Sequence, residues 1–242
     1  MQKGIYVFLL MFGITSILFP FYQGGPAVSF AQTISLPKPR LDGTVSLEKT
    51  LQERRSVRSY KDEPLTLAEV SQILWAAQGI TESQRGLRTA PSARAQYFIE
   101  VYLVAGKVSD LPPGLYKYQP KGHELLKVAE GDKKADLHKA AGQASIQKAP
   151  VALLICGLSD KAAGNPTFMY LEAGHVSQNI YLQGVSLGLG TVAMAGFKPE
   201  EVKKALSLPE KEVPIYVMPL GKKGRTVISR VAAVSGMLRP RP

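Results

Sequence analysis

Apolar residues recur at two different periods along this chain. Leu67, Val70, Ile73, Leu74 and Ala77 fall on one face of a helix. Thr66 and Glu69 supply a capping box at its start, and Gly79 ends it. A longer helical pattern runs from Phe168 to Leu187, with Met169, Ala173, Val176, Ile180, Leu182 and Val185 among its apolar positions. Ser46 can cap a short helix carrying Leu47 and Leu51. Another helix is expected from Lys133 to Gln143, and Pro199 stands at an N1-like position ahead of Glu200 and Glu201. Between these lie continuous β-branched and aromatic runs: Tyr97 to Ala105, Val151 to Gly157 and Ile215 to Leu220. Gly114 to Tyr118 and Glu124 to Val128 flank a Pro-Lys-Gly turn and read as a hairpin. Residues 33–44 read as an extended leader, 80–96 as a long polar loop, and 224–242 as a basic tail able to reach a neighbouring subunit. Neither an internal repeat nor a domain-scale linker interrupts the pattern. The mixture predicts an α+β fold, a central sheet flanked by helices.

The first 31 residues stand apart. Lys3 precedes an apolar stretch from Ile5 to Phe21, and Ser29 and Ala31 put small residues at the −3 and −1 positions of a cleavage site before Gln32. That is the pattern of a secretory signal peptide, with an uncleaved anchor as the alternative. The reading divides the chain into a signal at 1–31 and one domain at 32–242. It places the mature protein in the periplasm or cell envelope, without stable membrane insertion. No twin arginine precedes the apolar stretch, so a cofactor would be acquired after export.

At 242 residues and 45% hydrophobic content, the chain can bury a core of its own. The net charge of +11 favours phosphates, nucleotides and other anions. The basic residues are scattered and not interleaved with aromatics, which argues against nucleic acid. The three histidines form no metal-ligand spacing. The single cysteine, Cys156, lies in an apolar run and reads as a buried, inert thiol.

One short run carries chemistry. Arg54-Arg55-Ser56-Val57-Arg58-Ser59-Tyr60 places three guanidiniums and a hydroxyl within five residues, at the end of a short helix. Arg forks bind phosphate bidentately, and a Ser hydroxyl can complete an anion site. Alone, such a run reads more readily as a solvated charged face. Here Pro91-Ser92-Ala93 follows and leads into a strand, and Gly188-Leu189-Gly190-Thr191 lies near the end.

Taken in order, RRSVRSY, APSA before YFIEVYLV, GLYKY, EAGHVSQNIYLQGVSLGLGT, AGF and PLGK resemble the nitroreductase-like flavoproteins. The similarity extends over about 47–221. GLYKYQPKGHEL is similar to the SagB-type, thiazole/oxazole oxidase-like branch. The resemblance implies an α+β homodimer whose central mixed or antiparallel sheet is flanked by helices, with FMN at the interface and touched by both chains. By position it implies that Arg54 and Ser56 hold the phosphate and ribityl region, while Arg58 faces the pyrimidine edge of the ring. A cation there favours the reduced flavin, which carries negative charge near N1 and O2. Pro91, Ser92 and Ala93 match the loop at the ring edge. Gln143 would offer an amide, or else cap the preceding helix. Ala195 and Gly196 match backbone passing near N5, or else form a plain turn. Lys222 and Arg225 are candidates for a further cation on the phosphate, and Arg55 is expected to support the site by pairing with a carboxylate.

Many nitroreductases have glutamate where this chain has Ala195, which puts a preference for quinones or nitroarenes in doubt. The resemblance therefore implies ping-pong hydride transfer through FMN, with no catalytic side chain strictly required. NAD(P)H is the implied donor, although nicotinamides are scarce outside the cytoplasm; an oxidisable peptide or metabolite is the variant. A non-catalytic flavin carrier of the envelope is the alternative class. A basic envelope protein binding anionic lipid explains the charge but not the ordered motifs.

Overall fold

The computed structural model describes residues 32–224. The signal-peptide reading, the basic tail and Arg225 lie outside the described residues. Seven strands form one sheet in the order β1-β6-β5-β4-β7-β9-β8, with every neighbouring pair antiparallel. They are β1 (Thr33–Ser35), β4 (Ile99–Ala105), β5 (Gly114–Gln119), β6 (Glu124–Glu130), β7 (Val151–Leu158), β8 (Leu189–Thr191) and β9 (Glu212–Lys222). The remaining strands, β2 (Ile80–Glu82) and β3 (Leu87–Arg88), pair with each other in a separate small hairpin.

Alternation along the central strands splits the core in two. Val101, Leu103 and Ala105 of β4 join Leu153 and Ile155 of β7 on one face, under α2 (Leu67–Gln78) and α5 (Pro166–Ser186). Tyr102 and Val104 join Ala152, Leu154 and Cys156 on the other, under α3 (Lys134–Ala141), α4 (Ala144–Lys148) and α6 (Pro199–Ala205). Fully burying each such aliphatic side chain contributes roughly 1.5–3 kcal/mol before entropy is subtracted. Both faces of the sheet are covered, which explains why β4 and β7 read as continuous apolar runs. Burial pushes the Cys156 thiol up in pKa and makes it a poor nucleophile.

The helix starts are built as the sequence predicts. Thr66 and Glu69 close a reciprocal capping box, with Glu69 N–H donating to Thr66 Oγ1 at 3.1 Å and Thr66 N–H to Glu69 Oε2 at 2.7 Å. Ser46 Oγ accepts from Lys49 N at 3.2 Å at the head of α1 (Leu47–Glu53). Pro199 sits in the first turn of α6.

Four segments differ from expectation. The leader is partly a strand: β1 adds to the edge of β6, and Pro37 is held by a polar clasp. Ser71 Oγ donates to Pro37 O at 2.6 Å, and His123 lies 2.7 Å from Ser71 Oγ and 2.8 Å from Tyr118 OH. Desolvation holds His123 below its usual pKa, consistent with a structural imidazole. The polar loop at 80–96 contains the β2–β3 hairpin and a short 3-10 turn at Ala93–Ala95. The segment after Gly142, which closes α3 at φ 65°, forms the extra helix α4. Finally, β9 extends three residues before Ile215. Pro214 lies at a register shift against Cys156, where the ladder is already interrupted, so its missing N–H is tolerated.

Candidate active site

The arginine run leaves α1 and lies along the β8–β9 edge of the sheet. Arg54 is the last capping residue of α1, and its N–H donates to Thr50 O at 2.9 Å. Ser56 bridges Thr191 in parallel, and Val57 N–H donates to Thr191 O at 2.8 Å. Gly190 makes this contact possible, because a Cβ there would stand 2.7 Å from Val57 Cβ. Downstream, Tyr60 OH donates to Val57 O at 2.7 Å and to Pro219 O at 3.1 Å. Burial pushes the Tyr60 phenol up, keeping it a neutral donor. The backbone of the run is therefore held at both ends while Arg55, Ser56, Arg58 and Ser59 stay exposed and Arg54 is half-buried.

Tyr181 of α5 organises the side chains. Arg54 stacks its guanidinium 5.1 Å from the Tyr181 ring centroid. Tyr181 OH lies 3.3 Å from Ser56 Oγ and accepts from Ala193 N at 2.8 Å. No carboxylate among the described residues lies within ion-pair distance of Arg54 or Arg58. Arg55 differs from expectation: Nη1 donates to Arg54 O at 2.7 Å and Gln52 O at 3.0 Å. It satisfies orphan carbonyls at the end of α1, while the adjacent Glu53 is paired with Lys49 at 2.8 Å. Lys222 lies 3.5 Å from Glu63.

The Pro91-Ser92-Ala93 loop sits against the middle of α5, where Pro91 O lies 3.2 Å from His175 Nδ1. The backbone just after it is strained. Arg94, Ala95 and Tyr97 have φ of 56°, 53° and 53°, in the left-handed region that costs L-residues about 1–3 kcal/mol each. A network holds it there: Tyr97 N–H donates to Ser92 Oγ at 2.9 Å, and Arg88 N–H donates to Tyr97 OH at 3.0 Å. The Arg88 guanidinium stacks 4.3 Å from the Tyr97 ring and donates to Gln78 Oε1 at 3.1 Å. Gln78 in turn donates to Glu172 Oε1 at 3.0 Å, and Phe98 N–H donates to Glu172 Oε2 at 3.1 Å. Glu172, 1% exposed, thus joins α2, α5 and the start of β4 behind the loop.

Gln143 occupies the N-cap position of α4 without a capping side-chain bond. It belongs to the helical layer opposite α5; its neighbour Ser145 reaches Met194 Sδ at 3.4 Å. Ala195 and Gly196 are exposed, with Phe197 N–H donating to Ala195 O at 2.9 Å. The fold thus gathers Arg54 and Ser56 around Tyr181, with Thr191 bridging Ser56, and sets the Pro91–Ala93 loop beside the same helix. It does not place Gln143 in contact with either group. Tyr181, Tyr60, Arg88 and Tyr97 escape sequence reasoning because each acts across the fold. Tyr181 has one visible trace, a polar-tipped aromatic among the apolar positions of α5.

The donor set fits a phosphorylated cofactor. Two guanidiniums and the Ser56 hydroxyl are available, and the buried Thr191 hydroxyl has no hydrogen-bond partner. Such a set recognises an anionic group bearing several acceptor oxygens.

An α+β sheet between two helical layers, with a phosphate-type donor corner, defines a nitroreductase-like fold. The model of the Nitroreductase family matches residues 51–222, and the chain belongs to that family. A Methanocaldococcus jannaschii protein assigned as a nitroreductase is 39% identical over 197 residues, covering 79% of this chain and 98% of the relative. The crystal structure of a Ralstonia eutropha protein assigned as a nitroreductase superposes with a TM-score of 0.71 at 32% identity, covering 80% of this chain and 90% of that one. A chain of the Escherichia coli microcin synthetase McbBCD complex shares the fold, with a TM-score of 0.61 at 21% identity over 78% of each chain. The family is one of flavin-dependent oxidoreductases, and this chain is an oxidoreductase.

Proposed function

We propose that this protein is an FMN-dependent oxidoreductase of the cell envelope that passes hydride from a donor such as NAD(P)H to a small electron-poor acceptor by a ping-pong cycle. The observation that carries this reading is the corner where Arg54 and Ser56 meet Tyr181 and Thr191, with no carboxylate among the described residues to neutralise it. FMN would supply the redox chemistry. Arg54 and Ser56 would bind its phosphate end, Arg58 would face the ring's pyrimidine side, and the Pro91–Ala93 loop would bring small side chains close to the ring edge. Arg55 and Lys222, held by carbonyls and Glu63, would serve the site only indirectly.

The same reading makes the protein a homodimer. Leu47 and Leu51 of α1 and Tyr170 and Leu171 of α5 are 51–60% exposed, a set of large apolar side chains that a monomer leaves in water. In such a dimer both chains contribute to each site. Leu171→Glu is accordingly expected to give a folded monomer with at least tenfold weaker FMN binding. Sedimentation velocity and FMN fluorescence titration read the two effects. A stable monomer that binds FMN fully would exclude a site built at the interface.

A further inference from the structure

Beside the ring-edge loop, a cleft of about 460 Å³ opens between the loop and the start of α5. It is lined by Ala93, Arg94, Gln96, Phe98, Lys161, Asn165 and Phe168, among others. Three features define what it can hold. One wall is aromatic: Phe168 is exposed on it, and Phe98 lies buried behind it, 6.4 Å away ring to ring with planes tilted by 34°. Two lining residues are cationic. Lys161 Nζ reaches only the Tyr97 carbonyl, at 3.4 Å, and neither it nor Arg94 has an ion-pair partner among the described residues. The nearby acids are engaged elsewhere: Lys211 holds Asp160 at 3.1 Å, and Lys117 lies 3.6 Å from Glu100. The third feature is rigidity. Arg94 leaves the loop at φ 56°, and the Arg88–Tyr97–Ser92 network described above fixes that conformation.

We infer that this cleft is a substrate subsite for a planar aromatic carrying a carboxylate. The ring would lie against Phe168, which Phe98 backs from the core, and the carboxylate would meet Arg94 and Lys161. The volume is within the range of small-molecule sites. The N-terminus of α5, capped by Asn165 Oδ1 on Thr167 N at 3.1 Å, adds favourable potential for the anion. An exposed ion pair alone contributes little, whereas charge-assisted hydrogen bonds in a partly enclosed cleft contribute enough to select among substrates. The inference rests on the proposed function for its meaning as a substrate site, because Ala93 joins the cleft to the flavin's ring edge in that reading.

The test is calorimetric binding of 4-nitrobenzoate and of nitrobenzene to the purified protein, its Arg94→Gln, Lys161→Gln double variant and Phe168→Ala. The wild type is expected to bind 4-nitrobenzoate at least tenfold more tightly than nitrobenzene. The cation variant should lose about tenfold for the acid and nothing for nitrobenzene. Phe168→Ala should weaken both. Equal affinity for the two probes, or an acid affinity unchanged in the cation variant, overturns the subsite. Binding is read whether or not flavin is present, while the visible spectrum of the same samples reports flavin, so the two readings fail separately.

Discussion

Purified as the Arg54→Ala, Arg58→Ala double variant, the protein is expected to come off the column without colour and to bind added FMN on the order of a hundredfold more weakly. Arg58 is exposed and Arg54 half-buried, and neither is claimed by a carboxylate among the described residues, so each is free for a charge-assisted bond. Such a bond contributes roughly 1.5–3 kcal/mol, and two at the lower end of that range multiply to that factor. Folding should be nearly unaffected. The one side-chain interaction lost among the described residues is the stacking of half-buried Arg54 on Tyr181, of order 0.5–1 kcal/mol. Arg55→Ala is the internal comparison, because its guanidinium is spent on carbonyls at the end of α1. It should keep most of its flavin. Fluorescence titration with FMN measures all three proteins, and full occupancy in the double variant would remove the arginine run from the site.

A different outcome is expected at Glu172. Replacing it with alanine leaves the Phe98 N–H and the Gln78 amide without an acceptor inside the protein, and opens a void among buried neighbours. Each stranded donor costs about 1–3 kcal/mol, so the variant should lose roughly 2–5 kcal/mol. For a domain of this size that is a fall in Tm of about 5–15 °C by calorimetry. The damage should spread along the network. With Gln78 freed, Arg88 loses its side-chain acceptor, and the strained Ser92–Tyr97 segment loses its backing. Protease cleavage within 92–97 should therefore accelerate more than cleavage elsewhere. Glu172→Gln keeps an acceptor for Phe98 and should recover part of the loss. An unchanged Tm in the alanine variant would show that Glu172 is not the tie between these elements.

How much of this was readable beforehand depends on the range of each interaction. The capping box of Thr66 and Glu69 is local, a four-residue exchange of hydrogen bonds, and the structure forms it as the spacing demands. The buried strands β4 and β7 announce themselves because both of their faces are covered. By contrast, β2 and β3 are short and polar. They are held by contacts such as Thr89 N–H to Gly79 O and Arg88 to Tyr97, which leave no period in the sequence. The extension of β9 was hidden by Pro214, a residue that argues against a central strand unless a register shift absorbs it. At the site, the arginine run was legible as anion chemistry, since the residue types alone carry that property. What each arginine does was not. Arg54 and Arg55 are adjacent, yet one lies over Tyr181, more than a hundred residues away in sequence, and the other turns back onto its own helix.

The most direct measurement is the visible spectrum of the purified, FMN-reconstituted protein under anaerobic conditions, first alone, then with NADPH or NADH, then with an acceptor such as 4-nitrobenzoate. The account predicts flavin absorption at the start, bleaching by the nicotinamide before any acceptor is present, and recovery of the absorption once the acceptor is added. Bound flavin that no nicotinamide bleaches would contradict the proposed donor and favour a carrier. A protein that stays colourless after reconstitution would contradict the flavin site itself.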